Sequence, residues 1–147
     1  MKTSIVTLLL LVAAGTACAQ SSPVGLWKSI DDKTNKERSL VRITEAAGVI
    51  SGRIEKRLDP DAKADDVCGK CADDRKDKPL QGLEIIRGVK KTDGEDNRWD
   101  GGHILDPEDG KTYKVRLTPA DGGKKLDVRG YFGAPLLGRT QTWIRVE

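Results

Sequence analysis

One histidine, one methionine and one phenylalanine occur in 147 residues, and aromatic residues make up only 4% of them. His103 would therefore have to serve any histidine-dependent chemistry alone, and two thiolates plus one imidazole fall short of a four-ligand zinc site. Charge of one sign is also lacking. The 26 Lys and Arg are interspersed with 23 Asp and Glu, for a net +3. That balance contains no basic stripe of the kind a nucleic-acid binder presents, which excludes nucleic acid as a partner. No apolar run reaches the roughly twenty residues that a membrane-spanning helix needs. No window of useful length places apolar residues at helical spacing.

What is present begins with a leader signature. Lys2, an apolar run from Ile5 to Ala14 and the small-residue end Ala17-Cys18-Ala19 have the pattern of a secretory signal peptide, residues 1–19. Cleavage after Ala19 leaves residues 20–147, the size of one domain, soluble and periplasmic or secreted. The alternative is a lipoprotein with Cys18 as the lipidated first residue. Gly15-Thr16-Ala17 disfavours it, having glycine where such sites usually carry leucine.

Removing the leader leaves the even pair Cys68 and Cys71, spaced Cys-Gly-Lys-Cys, which should close into a disulfide in an oxidising compartment. Redox use of such a pair needs a thiolate stabilised at a helix N-terminus. Here the surroundings are a charged loop, Asp59 to Pro79, and Asp65, Asp66, Asp73 and Asp74 would raise a thiol pKa rather than lower it. The favoured reading is a structural staple worth about 2 kcal/mol by loop entropy. The loop itself, with seven acids and five bases from Asp59 to Lys78, reads as a solvated excursion.

The rest alternates with period two. Val24–Ile30, Ser39–Thr44, Val49–Leu58, Leu83–Val89, Trp99–Leu105, Thr112–Thr118, Leu126–Tyr131 and Arg139–Val146 read as strands separated by turn residues. Thr112–Thr118 is the cleanest, with Tyr113, Val115 and Leu117 on one face and Lys114 and Arg116 on the other. The predicted fold is all-β: an antiparallel meander of about eight strands, closed into a small barrel that leaves no exposed edge.

Gly25-Leu26-Trp27 in the first strand and a basic residue in the last, Arg139 or Arg145, resemble the opening and closing features of lipocalin and wider calycin barrels. That resemblance implies a tryptophan plugging the closed end with an arginine packed across it. The chain also resembles an uncharacterised family of small exported bacterial proteins, a domain of unknown function. The resemblance rests on Gly52-Arg53-Ile54, the Cys68–Cys71 motif followed by Lys78-Pro79, and Gly82-Leu83-Glu84-Ile85-Ile86. It continues through Trp99-Asp100-Gly101-Gly102-His103, Gly110-Lys111-Thr112-Tyr113, Gly130-Tyr131 and Gly138 to Trp143. It implies export, chiefly in Gram-negative bacteria, and a compact β fold, with no assigned activity.

Candidate site residues follow from these patterns. Trp27, Trp99 and Trp143 are either core or pocket-lining rings. The segment Gly130–Gly138 carries Tyr131, Phe132, Leu136 and Leu137 where a tight polar turn would suffice. It is either a lid folded over the core or an apolar rim that meets a ligand or partner. His103 and Arg139 complete the set of ligand-binding candidates. No catalytic residue, metal or cofactor is expected. The favoured function is a non-enzymatic envelope protein that binds a small apolar ligand or a protein partner. The alternative is a redox or hydrolytic enzyme using Cys68 and Cys71 or His103.

Overall fold

The computed structural model describes residues 21–147, so the leader signature of residues 1–19 lies outside the described residues. Eight antiparallel strands follow one another in chain order: β1 (Gly25–Ile30), β2 (Glu37–Ala46), β3 (Val49–Arg57), β4 (Glu84–Lys91), β5 (Trp99–Asp106), β6 (Lys111–Ala120), β7 (Lys125–Tyr131) and β8 (Arg139–Arg145). Each pairs with the next, and β8 returns to β1 through Trp27 opposite Arg145 and Lys28 opposite Ile144, closing the barrel. The expected eight-stranded meander is borne out. No described helix is long and apolar enough to cross a membrane.

Alternation produces this closure because inward positions on successive strands face one another. Val41 and Ile43 on β2, Ile50 and Ile54 on β3, Val115 and Leu117 on β6, and Leu126 and Val128 on β7 are all buried, whereas Lys114, next to Val115, is exposed. Strand β4 departs from strict alternation, with both Ile86 and Val89 fully buried three residues apart. Gly88, at φ 71°, supplies the bulge that turns the second side chain back inward. The bulged backbone of Arg87–Val89 then lies against β5 at Gly102, where a Cβ would collide with the Arg87 carbonyl.

One end of the barrel is sealed. Trp27 is fully buried there, and its Nε1 donates to the Pro23 carbonyl at 2.7 Å. The Arg145 guanidinium lies over the ring, 4.1 Å from its centroid. It donates to the carbonyls of Ser22 (2.6 Å), Val24 (2.8 Å) and Gly123 (2.5 Å). Of the two arginines that the sequence offered for this role, Arg145 fills it and Arg139 sits at the opposite end.

The charged segment from Asp59 to Lys78 is largely exposed, as its composition suggests, but it is pinned to the barrel at a few buried points. Val67 bridges to Pro79, Cys68 N donates to the Lys78 carbonyl at 2.8 Å, and Leu80 N donates to the Asp66 carbonyl at 2.9 Å. Cys68 and Cys71 form a disulfide with Cα atoms 5.4 Å apart, and at 1% and 2% exposure they belong to the core cluster along with Leu83. Arg75 is buried as well, donating to the Glu84 carbonyl at 2.9 Å and pairing with Asp73. Hydrogen bonds from that arginine draw the Asp73 carboxyl down to about 2. The Lys70 ammonium reaches the Glu108 carbonyl at 2.8 Å, and the Lys70 carbonyl rests on Gly110, leaving no room for a side chain in that turn.

Because the pair is packed as well as bonded, Cys68→Ala/Cys71→Ala should cost more than ring entropy alone. We expect a loss of about 2–4 kcal/mol, which is roughly 8–16 °C in melting temperature for a domain of this size. The β circular-dichroism spectrum at room temperature should be unchanged. A shift below about 4 °C would show that the segment is held without its staple.

Candidate functional site

The end opposite Trp27 stays open. Turns 31–36 and 107–110, the disulfide segment and the β7–β8 segment surround it, and inside lies a cavity of about 740 Å³. That volume falls in the range of small-ligand sites, roughly 300–1,000 Å³. The lower half of the barrel is filled by Val41, Ile43, Ile50, Ile86, Val89 and Leu126, all fully buried and none lining the cavity. The cavity is therefore a cup in the upper half.

Its floor is apolar, formed by Ile54, Leu105, Val128 and Trp143. One wall is polar. Ser29 and Ser39 are hydrogen-bonded neighbours on β1 and β2, the Ser39 amide donating to Ser29 Oγ at 3.1 Å. Gln141 accepts the Trp143 Nε1–H at 3.1 Å, which fixes the indole against the floor.

The rim carries charge of both signs. Arg38 pairs with Asp59 at 3.4 Å and with Glu108, joining β2 to two of the mouth segments. Arg57 holds Asp59 at 2.9 Å and Asp66 at 3.0 Å, and Arg139 holds Asp32 at 2.8 Å. Tyr113 donates its hydroxyl to Asp109 at 2.6 Å, a bond that pushes the phenol up to about 12.

Asp106 is the rim carboxylate under most tension. It caps the following turn by accepting the Glu108 amide at 2.9 Å. Burial, and then the neighbouring Asp109 charge, push its carboxyl above the usual value of 3.8. A carboxyl raised in the folded state is destabilising once ionised, so this penalty is absent below the unfolded value and grows as pH rises through the folded one. Asp106→Asn retains the acceptor and removes the charge. It should melt at a higher temperature than wild type at neutral pH and at the same temperature near pH 3. Equal melting at both pH values would mean that Asp106 is not desolvated.

The sequence candidates are dispersed. Arg139 and Trp143 line the cavity, whereas Trp27, Trp99, His103, Tyr131, Phe132, Leu136 and Leu137 do not. Trp27 is the plug. Trp99 opens β5 near the same closed end, with the Lys91 ammonium 5.7 Å from its ring. His103 is exposed on the outer barrel face, opposite Arg87 on one side and Lys114 on the other. Tyr131 is nearly buried opposite Lys114. Phe132 lies at the rim, its ring 4.5 Å from that of Tyr113. Leu136 and Leu137 cover nothing, so the segment is not a lid on the core.

Ser29, Ser39, Tyr113 and Gln141 were not among the candidates. Ser29 and Gln141 stand two residues from Trp27 and Trp143, and period two along those strands would have placed them inside.

A closed antiparallel meander of eight strands, plugged by a tryptophan–arginine stack at one end and hollow at the other, is a lipocalin-like barrel. A Helicobacter pylori protein, HP1028, described as belonging to the lipocalin family, superposes with a TM-score of 0.71 at 22% identity, covering 84% of this chain and 82% of its own. That likeness is one of fold. Residues 25–145 match the family described as uncharacterized protein conserved in bacteria (DUF2147), and the chain belongs to that family. Comparison with curated proteins finds no match.

Proposed function

We propose that the protein is an exported binding protein that carries a small amphipathic ligand in the mouth of its barrel. The cup carries this reading: an apolar floor of Ile54, Leu105, Val128 and Trp143 beneath a polar wall and a charged rim. Ser29, Ser39 and Gln141 already bond one another, Asp32 or Trp143, and their remaining hydroxyl and amide lone pairs are free to meet a polar head group that a purely apolar molecule would lack. A ligand with an apolar body and a polar head satisfies both regions. The lipocalin description of the Helicobacter neighbour agrees with a carrier role. Export is supported by the leader signature at Lys2 to Ala19 and by the disulfide, which an oxidising compartment maintains.

The geometry favours the staple over thiol exchange, because attack on a disulfide needs access to sulfur and both cysteines are buried. The test is native mass spectrometry of the protein recovered from the compartment to which it is exported. A reproducible adduct that extracts as an amphiphile is the expected result. A barrel that is always empty, accompanied by a co-purifying protein, would replace the carrier reading with a partner role.

A further inference from the structure

We infer that the β7–β8 segment, residues 132–138, docks the mouth of the barrel onto an anionic lipid surface. Leu136 and Leu137 are the most exposed large apolar side chains among the described residues, at 88% and 78%, and Phe132 follows at 57%. Their exposure is built in. Arg129 donates from Nε to the Pro135 carbonyl at 2.7 Å, from Nη1 to Thr140 Oγ1 at 2.8 Å and from Nη2 to the Leu136 carbonyl at 3.4 Å. Leu137 N bonds the Ala134 carbonyl and Gly138 N bonds the Pro135 carbonyl, closing a short 3-10 turn over Pro135–Leu137. With the backbone tied back to β7 and β8, the two leucines are held pointing away from the barrel.

The size of the apolar tip and the charge around it identify the occupant. Three side chains on one loop are far fewer than the roughly 20–30 residues a side of a stable protein interface, whether with another protein or a second copy. A membrane surface needs only a few inserted apolar groups backed by cations. Those cations are present beneath the loop. Lys114 is exposed on the outer face of β6 opposite Tyr131, and Lys111 is exposed where β6 meets the rim. Neither lysine is in an ion pair among the described residues, and Arg129 is bonded to carbonyls and a hydroxyl rather than to a carboxylate. Of the rim acids, Glu108 is paired with Arg38 and Asp32 with Arg139, whereas Asp109, bonded to the neutral Tyr113 hydroxyl, and Asp106 keep their charge and set the salt dependence of the contact against Lys111 and Lys114. Phe132 stacks on Tyr113, which lines the cup, so the apolar tip is continuous with the entrance. A contact this small gives weak, reversible attachment.

The test uses vesicles of equimolar phosphatidylethanolamine and phosphatidylglycerol beside vesicles of phosphatidylcholine alone. The protein is prepared in a Cys18→Ser background so that no lipid anchor contributes. We expect flotation with the anionic vesicles only, weakened by added salt and by Lys114→Glu. Leu136→Ser/Leu137→Ser should bind roughly 100-fold more weakly, about tenfold per leucine, with an unchanged melting temperature. Absence of binding, equal binding to both vesicle types, or equal binding by the double variant would overturn the inference. So would a dimer, seen by light scattering, that the double variant abolishes. Because the readout is vesicle attachment, its failure leaves the ligand-binding reading of the cup to be judged separately.

Discussion

Trp27→Ala should lower the melting temperature by roughly 12–20 °C while leaving the cup able to bind. The ring is fully buried and outside the cavity lining. Truncating a buried tryptophan costs about 3–5 kcal/mol in lost burial and residual cavity. For a domain of this size each kcal/mol moves the melting temperature by about 4 °C. The Arg145 guanidinium would also lose the ring beneath it, though its three carbonyl partners would remain. Arg145→Leu should destabilise for the complementary reason, leaving the carbonyls of Ser22, Val24 and Gly123 without their donor. Thermal melts of both variants check the plug, and a shift under about 4 °C for Trp27→Ala would contradict it.

Gly130→Phe should weaken binding roughly 100-fold with little change in stability. Gly130 lines the cup on β7, and a Cβ there would make only ordinary contacts, 3.6 Å from Tyr113 Cβ and 3.9 Å from Ile104 Cγ2. The introduced ring would extend over the floor and displace the apolar end of the ligand. Losing three or four methylenes of contact costs about 3 kcal/mol, a fall in affinity of roughly 100-fold. The gain from burying the ring, about 1.5–3 kcal/mol, offsets an overpacking penalty of about 1–3 kcal/mol. Titration with the extracted ligand, alongside a melt, separates the two effects. Retained affinity would place the ligand elsewhere.

The strands were legible because one face of each is packed against the core. Tyr113, Val115 and Leu117 alternate with Lys114 and Arg116 for that reason, and β6 lies where the alternation puts it. Strand β4 was less legible, since the bulge at Gly88 breaks the period and buries Ile86 and Val89 together. Composition described the exposure of the segment from Asp59 to Lys78 but not its anchoring. Arg75 pairs with Asp73 inside it, and strand residues Arg57 and Arg87 hold Asp66 and Asp74, so a polar stretch is anchored to the barrel.

The site was half legible for a related reason. Side-chain parity reports the inner face but not the end of the barrel, so Trp27 and Trp99 carried the same signal as Trp143. Ser29 and Gln141 share the parity of Trp27 and Trp143, but a polar residue on an inward face carries no hydrophobic signal to mark it as part of a cup.

The most direct test of the carrier account is the set of three indole N–H resonances in a two-dimensional ¹H–¹⁵N spectrum, followed while the extracted amphiphile is titrated. Trp143 Nε1 sits at the cup floor on Gln141, Trp27 Nε1 is held by Pro23 at the sealed end, and Trp99 lies outside the cup. The account expects the Trp143 signal to shift and saturate while the Trp27 signal stays in place. A saturating titration that leaves Trp143 unmoved, or that moves Trp27 first, would contradict it.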